Sequence, residues 1–301
     1  MQTGLATTDG AVTENLVEHY VRLSKGLGLL VVEHSYVTPD GQLSERQIGI
    51  YDDGLIPGLE KLASSVHAQG TPIIIQLNHA GGRTTQEVTG VPSVAPSSNE
   101  RARELRVDEI HTLAEAYARA ADRAMKAGFD GVEVHGAHGF LLNQFFSPLT
   151  NQRRDEYGGS LANRMRFPLE VIERVKETVG GRLLLYRVGS VDMDPAGTQI
   201  EDSVQLAVEL EGAGVDIIDV SGGLCGSRPD SLKGVQGFFI PQAQKIKTAV
   251  TIPVIGVGGI TDPTYADKVV RDGQVDLVAV GRVLLQDADW VRNAIRTLTV
   301  D

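Results

Sequence analysis

Seven short apolar runs recur along the chain: LGLLVVE (27–33), PIIIQL (72–77), GVEVH (131–135), LLLYRV (183–188), DIIDV (216–220), PVIGV (253–257) and LVAVG (277–281). Rich in β-branched residues and apolar on both faces, they read as buried parallel strands. Between them, apolar residues fall at helical spacing, as at Leu55, Leu59, Leu62 and Val66, at Ile110, Leu113 and Tyr117, and at Val291, Ile295 and Leu298. Strand and helix alternate throughout, which predicts an α/β fold on a parallel sheet.

Nearly every helix closes on a glycine turn that leads straight into a strand: AQGTP, KAGFDG, VGGR, EGAGVD, RDGQVD. The connections leaving the strands are longer and polar, notably 81–107, 145–163 and 222–239. Short loops at one end and long loops at the other are the signature of a TIM (β/α)8 barrel, here one domain over residues 1–301. The segment NQRRDEYGGSLANRMRF (151–167) reads as a folded loop held by its own Arg, Asp and Tyr contacts.

A closed barrel needs eight strands, and only seven runs are present. A first helix near 13–25 follows about a dozen residues that hold no strand run, so the absent strand is expected to be the first. That expectation makes Met1 internal to a longer natural sequence or the chain truncated. If the chain is complete, an open seam should lie between the 27–33 strand and the last one.

Composition narrows the function classes. With 42% hydrophobic and 22% charged residues the chain has the balance of a folded globular protein. A net charge of −11 argues against nucleic acid or an anionic membrane as the main partner. The single cysteine, Cys225, can form neither an internal disulfide nor a four-thiolate metal site, and suits a reducing compartment. No targeting segment opens the chain and no apolar run nears the roughly 18 residues of a membrane span, so a cytoplasmic location is expected.

Polar residues gather at the C-terminal ends of the strands: Gln76 with His79, Glu133 and His135 with His138, Arg187, Asp219 with Ser221, and Arg282. This is where a barrel places its catalytic mouth. Alternation aims Glu133 and His135 at the barrel axis and turns Val132 and Val134 towards the helices. The pair His135 and His138 admits three readings: a metal site lacking its third ligand, two hydrogen-bonded structural histidines, or two N–H donors gripping one substrate oxygen. No metal is expected. Gly258 and Gly259, with Gly281 and Arg282, follow the last two strands, where barrels form a phosphate pocket; plain turn glycines are the alternative. Arg187 requires a negative partner, either Asp219 or an anionic ligand group.

These residues resemble the old yellow enzyme family of FMN-dependent oxidoreductases, from Met1 to about Ala294. The specific matches are IQLNHAGG (75–82), VEVHGAHGFLLNQFFSPLTNQRRDEYGGSLANRMRF (132–167), VGGI (257–260) and VGR (280–282). The resemblance implies FMN across the barrel mouth, with Gln76 on its pyrimidine edge, Arg187 facing its N1 and O2 region, and Gly258, Gly259, Gly281 and Arg282 on its phosphate. His34 and Gln2, at the flavin-tuning position, would also border it. It implies that NADPH or NADH gives a hydride to flavin N5, which passes to an enone, enoate or similar electron-poor small molecule polarised by His135 and His138. Where the family commonly carries a proton-donating tyrosine, this chain has Phe140. The alternatives are a flavin-binding barrel with weak or no ene-reductase activity and a flavin-free phosphate-binding barrel lyase or isomerase. Homo-oligomerisation is left open.

Overall fold

The computed structural model describes residues 2–299. Thr13 accepts the Leu16 N–H and starts α1 (Glu14–Ser24), which leads into β1 (Leu30–Tyr36). Then follow α2 (Ile56–His67), β2 (Ile73–Asn78), α3 (Gln86–Thr89), β3 (Ser93–Ala95), β4 (Ala102–Glu104), α4 (Val107–Lys126) and β5 (Gly131–Gly136). After α5 (Leu141–Phe146) and α6 (Leu161–Val179) come β6 (Leu183–Gly189), α7 (Ile200–Gly212), β7 (Ile217–Ser221) and α8 (Ile240–Lys247). The chain continues through β8 (Val254–Gly256), α9 (Pro263–Arg271), β9 (Leu277–Val278), α10 (Arg282–Gln286) and α11 (Trp290–Thr299).

All seven expected strands join one parallel sheet in the order β1-β2-β5-β6-β7-β8-β9, a curled half-barrel, while β3 and β4 form a small separate ladder. The large apolar cluster lies between sheet and helices: Val32, Ile75, Val132, Val134 and Leu184 meet Leu59, Leu62, Tyr117, Ile172 and Leu206. A smaller cluster of Ile74, Leu185, Phe238, Phe239, Ile255 and Val257 forms a second apolar layer. Alternation along each strand sorts side chains between these layers and so fixes which polar groups reach the mouth.

The sheet is open, with β1 and β9 as its edges. Val31 on β1 is 37% exposed and Leu277 on β9 is 46% exposed. The β1 edge is blunted by side chains: the Glu33 N–H donates to the Tyr20 hydroxyl at 2.8 Å, and the Glu33 carboxylate accepts the Thr3 N–H and hydroxyl at 2.7 and 2.6 Å. Two expectations are corrected. The 277–281 run keeps ladder pairing only at Leu277–Val278, because an edge strand has a neighbour on one side alone. The 151–167 loop ends early, since Ser160 caps α6 and residues from Leu161 onward are helical. Its first half holds together as expected, through Arg153 with Asp155, but Tyr157 turns to Glu170 on α6.

Candidate active site

Parallel pairing sets Gln76 beside Glu133, and His135 beside Arg187 beside Asp219. Three groups of polar residues result at or near the strand ends.

The first is a set of imidazoles. His135 accepts the Ala137 N–H at Nδ1 (3.3 Å), which leaves the proton on Nε2. His138 stands after β5 at a φ of 58°, held by its N–H to the Gly222 carbonyl (3.0 Å) and by Nε2 against Ser221 Oγ (2.7 Å). Arg83 donates to the His138 carbonyl. The two rings stand edge to face, with centroids 4.9 Å apart. His34 joins them from β1: the Gln47 amide nitrogen sits 2.8 Å from its Nδ1 and 2.9 Å from its carbonyl oxygen, so Nδ1 accepts and Nε2 carries the proton. Phe140 packs between, 5.1 Å from the His34 ring and 4.9 Å from that of His135, with the Arg83 guanidinium 5.1 Å over its face.

Burial holds all three imidazoles neutral. It pulls His34 down to about 3, with the charges of Arg83 and Arg187 adding to the effect. Burial also drives His135 and His138 well below the ordinary value, and Arg187 pushes both the same way. Neutral imidazoles at this mouth are hydrogen-bond donors without a charge, suited to polarising an acceptor oxygen.

The second group lies on the inward row of the sheet. The Gln76 amide N–H donates to Glu133 Oε2, and Arg187 Nε lies 3.2 Å from Asp219 Oδ2. That contact has the distance of an ion pair but not the angle of a hydrogen bond, so Arg187 Nε has no hydrogen-bond partner. Of the two partners considered for Arg187, Asp219 is in ion-pair contact with it, and the remaining Arg187 N–H groups stay available to a ligand.

The third group is a cleft of roughly 390 Å³ lined by Arg228, Lys233, Gln236, Phe238, Gly259 and Arg282, among others. Gly258 (φ +122°) and Gly259 (φ +65°) turn the chain there, and a Cβ on Gly258 would stand 2.8 Å from the Phe238 nitrogen. Only glycine fits that approach. Gly281 is exposed and caps α10, one residue before Arg282.

The structure thus brings together His34, His135 and His138, sets Gln76 level with Glu133 and Arg187 level with His135 and Asp219, and gathers Gly259 and Arg282 with Gly258 behind. Gln2 sits apart from these, its amide donating to Ser44 in the loop after β1. Arg228 and Gln47 were not foreseen. Both lie in long polar loops, where no periodicity says which side chain turns inward. Among the described residues no group of three His, Cys, Asp or Glu is arranged to hold a metal ion, and no helix is long and apolar enough to cross a membrane.

Comparison with known proteins adds the family. The model of the NADH:flavin oxidoreductase / NADH oxidase family matches residues 1–300. The chain is 42% identical to an NADH oxidase of Thermoanaerobacter brockii, covering 98% of this chain and 47% of that protein, so it spans about half of that relative's length. It is 39% identical to an NADPH dehydrogenase of Geobacillus thermodenitrificans, covering 98% of this chain and 87% of that one. The solved old yellow enzyme homologue of Zymomonas mobilis superposes with a TM-score of 0.86 at 26% identity, over 99% of this chain and 87% of that one. With its curled parallel sheet and its imidazole-lined mouth, the chain belongs to the NADH:flavin oxidoreductase / NADH oxidase family, the NAD(P)H-dependent flavin oxidoreductases of the old yellow enzyme type that use FMN.

Proposed function

We propose that this chain reduces activated alkenes, such as enones and enoates, or related electron-poor acceptors, with NADPH or NADH as the reductant. The observation that carries the reading is the neutral pair His135 and His138, two imidazoles with centroids 4.9 Å apart at the end of β5 and in the turn that follows it. The residues present fit FMN. Arg187 keeps unbonded N–H groups, Gln76 Oε1 accepts no hydrogen bond from protein among the described residues, and two arginines flank a glycine turn. In this reading Gln76 and Arg187 hold the polar edge of the ring system, and Gly258, Gly259, Gly281 and Arg282, with Arg228, hold the phosphate. His34 borders the same mouth, whereas Gln2 is turned to Ser44 and takes no part in this reading.

When bound, FMN supplies the two-electron chemistry that couples nicotinamide oxidation to acceptor reduction. The protein's own part is orientation and polarisation. His135 offers its Nε2–H to the acceptor oxygen, and His138, fixed by Ser221 and Arg83, closes on the same oxygen from its perpendicular ring. Charge that builds on that oxygen meets fixed donors and costs no reorganisation. Phe140 carries no transferable proton, so the proton for the α-carbon must come from water or another acid.

The test is an anaerobic visible spectrum. Protein loaded with FMN should bleach with NADPH or NADH and regain colour on adding an enone. Bleaching without recovery favours the second reading, a flavin-binding barrel with weak or no alkene reduction, for which Phe140 is the specific argument. Failure to take up FMN removes both. Family membership leaves no support for a flavin-free lyase or isomerase.

A further inference from the structure

Beneath the mouth, two carboxyl groups lie buried and close: Glu133 is 0% exposed and Asp219 4%. Glu133 Oε1 and Asp219 Oδ1 each lack a hydrogen-bond partner. Their other oxygens are engaged: Glu133 Oε2 accepts from Gln76, and Asp219 Oδ2 faces Arg187 Nε at 3.2 Å. Two buried carboxylates that act on one another, each with an orphaned acceptor, repel and lose solvation; one proton shared between them removes both penalties.

We propose that Glu133 and Asp219 share a single proton, carried on Glu133 Oε1 and donated to Asp219 Oδ1, so that Gln76, Glu133, Asp219 and Arg187 form one continuous hydrogen-bonded and ion-paired chain. The proton rests on Glu133 because Arg187 stands against Asp219 and favours its ionised form. Burial and the Asp219 charge both raise Glu133, while Arg187 opposes the rise caused by burial at Asp219. The groups facing the pair are Gln76 from β2, Arg187 from β6 and neutral His135 on β5 itself; Glu33 on β1 is taken up by Thr3 and Tyr20. Two consequences follow. The cluster is neutral, with the Arg187 cation balanced by one carboxylate. The Gln76 amide is also held in one orientation, N–H towards Glu133 and carbonyl free, so Glu133 acts as a positioning residue for Gln76. The second consequence rests on the flavin reading above; the shared proton does not.

Infrared difference spectroscopy of the full chain, first without flavin, tests the proton directly. Near neutral pH the wild type should show one buried carboxylic-acid carbonyl band that shifts in D2O and is lost in Glu133→Gln. Absence of such a band, or its survival in Glu133→Gln, overturns the proposal. If that variant does not fold, a pH titration of the wild-type band serves instead: loss at alkaline pH supports the shared proton, and a band present at no pH overturns it. In flavin-loaded protein, Glu133→Gln keeps both hydrogen bonds and should retain FMN affinity within about twofold. It should also remove the alkaline change in slope of the flavin midpoint potential against pH. A retained change in slope would show that the shared proton does not titrate with the flavin, while Glu133→Leu, which cannot accept the Gln76 N–H, should weaken FMN about tenfold, and an unchanged affinity there would overturn the positioning role. Wild-type protein that shows the band but takes up no flavin would leave the proton pair intact and fail the flavin reading alone.

Discussion

Ser221 Oγ, at the end of β7, lies 2.7 Å from His138 Nε2, in the turn that follows β5. The contact ties the imidazole that sits at a positive φ to a strand two places away in the sheet. Ser221→Ala should cost about 1 kcal/mol of this alignment, roughly a fivefold fall in kcat for an enone. FMN affinity should not change. A fall in FMN affinity of the same size would show that Ser221 acts on the cofactor site and not through His138.

Arg228 and Arg282 flank the same cleft, and Arg282 is lowered by burial and then by the Arg228 charge. Like charges brought together without a protein anion call for a ligand anion. Replacing either by Ala should weaken FMN about 10- to 100-fold and hardly affect riboflavin, which lacks the phosphate. Fluorescence titration with both ligands reads the difference.

Phe140 fills the space beside His135 and His34. Phe140→Tyr restores a transferable proton there and should raise the rate of alkene reduction, by up to about 100-fold where protonation limits turnover. Reduction of the flavin by nicotinamide should keep its rate. Stopped-flow measurement of the two half-reactions separates these outcomes.

The neutral histidines predict an acid-sensitive fold. His34 is pulled from 6.5 to about 3, and His135 and His138 are lowered as well. Below the unfolded value the unfolded chain binds more protons than the folded one, so this stability is fully present above pH 6.5 and is lost as the pH falls towards about 3. Glu133 acts in the opposite sense: its raised value contributes stability at low pH that is lost as the pH rises through it. Urea midpoints taken across the acid range should fall steadily, and His34→Asn should flatten the slope.

Gly136 ends β5 against Tyr186, whose buried hydroxyl has no partner. A Cβ at 136 would stand 2.0 Å from that hydroxyl and 2.2 Å from the ring carbon bearing it. Gly136→Ala should therefore destabilise by about 1–3 kcal/mol. Tyr186→Phe removes an unsatisfied buried group and should stabilise by about 1 kcal/mol. Chemical denaturation gives both values.

Much of this was legible in the chain itself. Seven strands, their parallel order and the gathering of polar residues at the strand ends follow from period, alternation and glycine turns, because burial acts on each residue locally. His135 and Arg187 were placed by counting along a strand. Only the tertiary structure set Gln47 on His34 and Arg228 beside Arg282, and left Glu133 Oε1 and Asp219 Oδ1 buried without partners. These contacts join residues far apart in sequence through loops and through the curl of the sheet. Periodicity names the face a side chain takes, and long-range closure chooses the neighbour it meets there.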